Sequence, residues 1–261
     1  MTRPDYPALL ADLVAEEEAL DGVVADLAPP GWATPTPAAG WDVRDSVGHL
    51  AASEDLARTA LHDPATFAAR RDDLLAGGDA DAVLGAARGM PGPAVLAWWR
   101  AARADLAADL GGLDPTDRID WFAGPMGVAS FVTARLMETW AHGQDVRDAL
   151  GEPPERSGRL RHVADLGVRT RGFSFRVRGL DPPDGEVRVE LRAPDGSTWT
   201  WGPPDAPDRV RGDAVEFCLV VTQRRHPSEV RLETDGPNAA AWLDVAQAFA
   251  GPPTRPRPPA G

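Results

Sequence analysis

The 261-residue chain contains no lysine and only one cysteine, and each scarcity removes a class of chemistry. Without lysine there is neither a Schiff-base nucleophile nor the phosphate-binding lysine of a P-loop. A single cysteine excludes intrachain disulfides and cysteine-rich zinc or iron–sulfur sites. No stretch approaches the ~20 apolar residues of a membrane span, and the acidic, amphipathic start does not resemble a secretory signal. We therefore expect a cytoplasmic protein with no membrane partner.

Basic residues are also scarce in the first part of the chain. Residues 1–155 contain 26 acidic and 11 basic residues, a net charge of −15, whereas residues 156–261 contain 14 and 16, a net charge of +2. An acidic surface repels polyphosphates, so no nucleic-acid partner is expected. The oligomeric state is left open, with a homodimer as one option.

A change in hydrophobic period divides the chain near GEPPERSG, residues 151–158. Before this point, apolar residues recur at helical spacing in four long segments, which predicts a four-helix bundle. The helix that begins within WDVRDS has Asp42 as its expected N-cap and Asp45 as the partner in a capping box. The last long helix is expected to end at Gly151, and a weaker helix is expected within 79–90.

The remaining chain alternates apolar and polar residues in short segments. VRVELRAPDGSTWTWG surrounds an Asp-Gly turn and predicts a β-hairpin. The apolar run EFCLVV is expected to be a buried strand, and a helix is expected to begin near Pro237. We predict a helical bundle at 1–155, a small antiparallel α+β domain at 156–251 and an extended, unstructured proline-rich tail at 252–261.

Three residues of the bundle have side chains suited to one divalent ion. Glu138 and His142 are four residues apart on one predicted helix, and the bundle can bring His49 alongside them from another. Two imidazoles and a carboxylate suit zinc and leave a fourth position open, although other divalent ions use the same ligands. Asp145 is a further ligand, a group that orients His142 or an ordinary solvated residue near the end of the helix. The alternative is an ordinary surface pair of Glu138 and His142.

Two segments resemble a known family. WDVRDSVGHLA (41–51) and ARLMETWAHGQDVRDALG (134–151) are similar to the signature segments of DinB/YfiT-like metalloenzymes, and above all to the metal-binding domain of mycothiol-dependent maleylpyruvate isomerases. The resemblance covers about residues 1–155 and implies a four-helix bundle with His49, Glu138 and His142 as metal ligands. More loosely, the second half resembles the sterol-carrier-like domain that follows such bundles.

This resemblance implies a zinc-dependent isomerase or transferase that uses mycothiol, a low-molecular-weight thiol, on a small acidic substrate. Thiolate addition to a conjugated substrate would allow bond rotation before elimination. By the same resemblance Arg224 and Arg225 lie where a functional arginine is expected, as catalytic residues that bind a carboxylate. Arg135 is expected to pair with Glu138, to hold a substrate or to bridge the surface, and Trp121 to wall the cofactor pocket or to pack the bundle end.

Three other functions stay open at this point. A hydrolase would keep the metal but use bound water in place of a thiol. A non-catalytic carrier would hold an apolar ligand in the second domain, with a structural metal. Wyosine-type tRNA modification is linked to some proteins of this architecture, but the acidity of the bundle opposes it.

Overall fold

The computed structural model describes residues 5–77, 85–122, 124–251 and 253–254. The chain divides into two compact units, Met1–Pro154 and Glu155–Gly261. The expected weak helix at 79–90 is described only from residue 85, and residues 85–88 are helical. Most of the expected unstructured tail lies outside the described residues. No helix in the described ranges is both long and apolar enough to cross a membrane.

The first unit contains the four long helices predicted from the sequence. Its elements are α1 (Tyr6–Val24), α2 (Pro29–Trp32), α3 (Val43–His62), α4 (Pro64–Leu75), α5 (Gly92–Gly111), β1 (Arg118–Ile119), β2 (Met126–Gly127) and α6 (Val128–Leu150). Helices α1 and α3 each pack against both α5 and α6. Because each of the two shares the same neighbours, α1 and α3 occupy opposite corners of the bundle.

Local signals at the helix ends match the prediction. The Asp42 carboxylate accepts a hydrogen bond from the amide of Asp45 at 2.8 Å, and the Asp45 carboxylate accepts from the amide of Asp42 at 3.3 Å. The capping box is therefore confirmed. Gly151 ends α6 in the left-handed region, with φ 73°, which glycine adopts without steric cost. The capping box thus marks the start of α3 and Gly151 marks the end of α6, the two helices that carry the candidate ligands.

The bundle interior is filled by large apolar side chains. Trp99, Trp140, Phe67, Phe131 and Leu50 are among the fully buried ones. They come from α3, α4, α5 and α6, so the core joins these four helices. Burial of each such side chain contributes about 1.5–3 kcal/mol to folding.

The second unit packs helices against one small sheet. Its elements are α7 (Leu160–Arg169), α8 (Arg171–Arg176), β3 (Val187–Arg192), β4 (Thr198–Trp201), β5 (Asp208–Asp213), α9 (Ala214–Val221), β6 (Glu233–Asp235) and α10 (Pro237–Val245). The strand order is β4-β3-β5-β6. The hairpin of β3 and β4 and the helix from Pro237 are confirmed, as is the α+β class.

Two details of the second unit differ from the sequence prediction. The sheet is mixed, because β3 and β5 pair in parallel while the other pairs are antiparallel. Residues 193–207, which include β4, provide the long connection that a parallel pair requires. Gly202 lies in this connection with φ 76°, where a β-carbon would come 2.3 Å from the carbonyl oxygen of Val187.

The second difference concerns the apolar run EFCLVV, which is helical rather than a strand. It lies in α9, where the Asp213 carboxylate caps the first turn by accepting from the amide of Val215 at 2.9 Å. Seven of the eight residues of α9 are buried, so the run shows no polar face. Without a polar face, hydrophobic periodicity does not separate a buried helix from a buried strand.

Candidate metal centre

Three side chains from two helices converge on one point of the bundle. His49 comes from α3, and Glu138 and His142 come from successive turns of α6. One ligand atom of each residue lies within 4.8 Å of the others. The rings of His49 and His142 have centroids 4.6 Å apart. The structure thus brings together the three residues whose types and spacing predicted a metal site.

The separation of two of these ligand atoms fits a tetrahedral ion. His142 Nε2 and Glu138 Oε2 lie 3.5 Å apart. Ligand bonds of about 2.1 Å at tetrahedral angles place neighbouring ligand atoms about 3.4 Å apart. The side chains of Glu138 and His142 keep 25% and 12% of their exposure, so the site is reached from solvent. Two imidazole nitrogens and one carboxylate oxygen are donors that zinc accepts, with one position left for another ligand.

Trp41 packs against both histidine rings. Its indole is stacked on His142, with centroids 5.7 Å apart and planes 11° apart, and it is tilted against His49 at 5.3 Å. Trp41 precedes the cap residue of α3, so the capping box fixes the backbone beside it. These contacts restrict rotation of both imidazoles. The indole therefore forms one wall of the site.

Asp145 lies on the other side of the His142 ring from Glu138. Asp145 Oδ2 is 3.6 Å from His142 Nδ1, and the Asp145 side chain is fully buried. His142 Nδ1 is itself buried and has no hydrogen-bond partner among the described residues. Since Glu138 faces Nε2 and Asp145 faces Nδ1, the two carboxylates lie beside the two different nitrogens of one imidazole.

The ionisation of Glu138 suits a metal ligand. Burial raises the pKa of Glu138, but the hydrogen bond and charge of His142, followed by the charges of Arg135 and His49, lower it overall to about 2. The carboxylate is therefore ionised at neutral pH. An ionised, partly buried carboxylate with two imidazoles beside it is an arrangement that a divalent cation stabilises.

Arg135 lies in the bundle core. Its Nη2 donates to Glu54 Oε1 at 2.9 Å and its Nε donates to Oε2 at 3.3 Å. The side chains of Arg135 and Glu54 are 5% and 0% exposed. The expected alternative of a surface bridge is wrong, because the guanidinium is buried, and its strongest partner is Glu54 rather than Glu138.

Trp121 belongs to an aromatic cluster of the first unit. Its ring is stacked on Phe67 at 5.4 Å and meets Phe122 and Phe131 edge to face at 5.3 and 5.0 Å. Phe67 is on α4 and Phe131 on α6, so the loop between β1 and β2 is anchored to two helices. Packing at the bundle end accounts for these contacts, and a role beside a cofactor stays a prediction.

Arg224 and Arg225 follow α9 in the second unit. The amides of both donate to the carbonyl of Leu219, at 2.7 and 3.1 Å, and close the end of the helix. Gln223, just before them, has a positive φ of 61°. The Arg224 guanidinium donates to the carbonyl of Thr222, and that of Arg225 donates to the carbonyl of Arg224. Their catalytic role stays a prediction.

Comparison with known proteins assigns the family. The family described as "Mycothiol maleylpyruvate isomerase N-terminal domain" matches residues 13–147, more than half of the chain. The chain belongs to this family. The matched residues include all three candidate ligands, and the resemblance inferred from the two sequence segments is confirmed. A second family, described as "Wyosine base formation", matches residues 183–234 of the other unit.

Two curated relatives align with nearly the whole chain. Two proteins of Mycobacterium tuberculosis strains, both described as uncharacterized, are 46% identical over 256 residues, which cover 97% of this chain and 99% of each relative. A crystal structure of the mycothiol-dependent maleylpyruvate isomerase has a TM-score of 0.57 at 12% identity, and a mutant form of that isomerase has 0.55 at 13%. Both matches cover 89% of this chain and 95% of the other, and at such identities they show a shared fold.

Two residues beside the site of this family member were missed by sequence reasoning. Glu54 occupies a core position of α3, in register with Val47, Leu50, Ala51 and Ala57, all of which are buried. A charged residue at an apolar helical position signals a buried ion pair. Trp41 opens the first family segment, but only the fold reveals its contact with His142 on another helix.

Proposed function

We propose that the protein is a metal-dependent isomerase or transferase that uses a low-molecular-weight thiol of the mycothiol type on a small acidic substrate, with zinc as its metal. The convergence of His49, Glu138 and His142 within the family-matched residues carries this proposal. The thiol is suggested by the described activity of the isomerase of similar fold.

In this proposal His49, Glu138 and His142 hold the ion, and Trp41 keeps the two imidazoles in position. Bound zinc would lower the pKa of a thiol so that the thiolate forms near neutral pH. The partial exposure of Glu138 gives the thiol a route to the site. The single cysteine, Cys218, is buried and is therefore not an exposed source of thiolate.

We assign Asp145 a positioning role rather than a place among the ligands. A carboxylate that faces the second nitrogen of a metal-bound imidazole fixes the orientation and tautomer of the ring. Asp145 Oδ2 faces Nδ1 of His142 at 3.6 Å, just beyond hydrogen-bond length. With Asp145 outside the ligand set, the fourth position stays available to a thiol.

An acidic substrate requires a cationic group to bind its carboxylate. Arg135 is bound at two points by Glu54 inside the core. Arg224 and Arg225 carry planar guanidinium groups that suit a carboxylate, and we retain them as candidates for substrate binding and for stabilising developing negative charge. Trp121 is retained as a candidate wall of the thiol pocket.

Metal analysis of the purified protein tests the first part of the proposal. We expect about one zinc per chain in the parent and a large loss in His142→Ala, because one of three ligands is removed. His62→Ala is the matched control, since His62 is exposed and contacts Asp109. Equal metal content in the parent and His142→Ala would contradict the assignment.

Calorimetry with mycothiol tests the second part. Thiol binding is expected for the zinc-loaded protein and not for the protein stripped by a chelator. Binding that is indifferent to zinc would refute the proposed role of the ion. Product formation in thiol-free buffer would instead favour a hydrolase, and a metal with four protein ligands would favour a non-catalytic carrier.

A further inference from the structure

A buried ion pair lies beside the candidate metal centre. Arg135 and Glu54 form a two-point contact, in which two guanidinium nitrogens donate to the two carboxylate oxygens at 2.9 and 3.3 Å. The Glu54 side chain is completely buried and that of Arg135 is 5% exposed. Burial lowers the pKa of Arg135, but the charge and hydrogen bonds of Glu54 raise it overall, so the guanidinium is charged. The two-point contact therefore holds both side chains in one geometry.

This pair joins the same two helices that carry the candidate ligands. Glu54 follows His49 by five residues on α3, and Arg135 precedes His142 by seven residues on α6. With a rise of about 1.5 Å per residue, these steps cover about 7.5 Å and 10.5 Å along the two helix axes. The ring contact between His49 and His142 and the Arg135–Glu54 contact then lie at successive levels of one antiparallel helix pair.

Stability alone does not account for such a pair. Two charges removed from water lose solvation that their mutual attraction only partly restores, and well-packed apolar residues of similar size often serve a core equally well. A two-point contact does, however, define direction as well as distance. Sliding α3 along α6 would break both hydrogen bonds and leave a buried charge without its partner. The pair thus penalises the displacements that would separate His49 from Glu138 and His142.

We propose that Glu54 and Arg135 are positioning residues for the metal centre, which set the spacing and axial register of α3 and α6 so that one ion reaches ligands from both helices. This inference rests on the proposed metal site. It assigns no contact between the pair and the ion, the thiol or the substrate.

The test replaces the pair with apolar residues of similar volume, as Glu54→Leu combined with Arg135→Met. Zinc affinity is measured by competition with a chromophoric chelator, and Co²⁺ is used as a probe because its visible absorption reports ligand geometry. We expect the folded double variant to bind zinc about 10- to 100-fold more weakly, as for other residues that orient metal ligands. We also expect its Co²⁺ bands to shift or lose intensity, a change that a purely structural role would not cause.

Arg58→Met is the matched control. Arg58 also extends from α3 and pairs with Asp105 and Asp109, but those residues are on α5, which carries none of the ligands. Its removal should leave zinc affinity and the Co²⁺ spectrum unchanged. A similar loss of affinity in this control would show a general effect of cutting ion pairs on α3 and would overturn the inference.

The outcomes separate this inference from the proposed function. If the parent binds no zinc, the metal site itself is refuted. If the parent binds zinc and the folded double variant binds it equally with the same Co²⁺ spectrum, the positioning role is refuted while the site stands. Should the double variant not fold, Arg135→Lys decides, because it keeps the charge but loses the planar fork. Weaker zinc binding by Arg135→Lys supports the inference, and parental affinity overturns it.

Discussion

Replacing Glu17 with glutamine removes a carboxyl group that the bundle core keeps protonated. Glu17 lies on α1 with 3% of its surface exposed. Burial, followed by the negative charge of Glu54, raises the pKa of Glu17 from 4.5 to about 8, although Arg103 and Arg135 lower it in part. At neutral pH the folded protein therefore holds a proton on Glu17 that the unfolded chain releases.

This difference in protonation makes stability depend on pH. Below about pH 4.5 Glu17 is protonated in both states and its contribution to stability is fully present. As pH rises towards 8, only the unfolded chain loses the proton, so the free energy of unfolding falls by about 1.4 kcal/mol per pH unit. The total reaches about 5 kcal/mol as an upper limit, and above pH 8 the dependence ends because the folded state also ionises.

Glutamine has the same shape but no proton to lose, so Glu17→Gln should abolish this slope. Urea unfolding of the chelator-treated protein at pH 5, 7 and 9 measures the effect. The variant should gain stability over the parent progressively with pH, by several kcal/mol at pH 9. Glu18→Gln is the control, because Glu18 is the exposed neighbour on the same helix. If the stabilities of the parent and Glu17→Gln stay parallel from pH 5 to 9, the account of this buried acid is wrong.

Two further predictions concern the ends of the ligand-bearing helices. Asp42→Ala should lower the free energy of unfolding by about 1 kcal/mol, whereas Asp42→Asn should retain most of the cap. If chemical denaturation shows that both variants lose the same free energy of unfolding, the capping role is contradicted. Gly151→Ala should cost about 1 kcal/mol, because an alanine must adopt the left-handed backbone although no atom obstructs its β-carbon. An alanine variant as stable as the parent in the same assay would show that the helix end relaxes.

Local sequence signals located the elements that carry the site. The spacing of Glu138 and His142 placed both side chains on one face of α6, and Asp42 with Asp45 marked the start of the helix that carries His49. These features depend on residues within one or two helical turns. Hydrogen bonds and side-chain spacing over such short distances are readable without knowledge of the fold.

Contacts between residues far apart in the chain could not be predicted from such local signals. Arg135 was expected to act near Glu138 on its own helix, but its charge is matched by Glu54, which is 81 residues away in sequence. The parallel pairing of β3 with β5 likewise skips the strand between them. In such cases the contact partner depends on how helices and strands are arranged in space. That arrangement leaves no periodic signal in the amino-acid sequence.

Glu17 and Glu138 are two acids of the bundle in opposite states, and their neighbours explain the difference. Burial raises the pKa of both Glu17 and Glu138, yet the overall values are about 8 and about 2. The negative charge of Glu54 raises the pKa of Glu17, whereas His142, Arg135 and His49 lower the pKa of Glu138. An acid that remains ionised in a confined site is ready to bind a cation without first losing a proton.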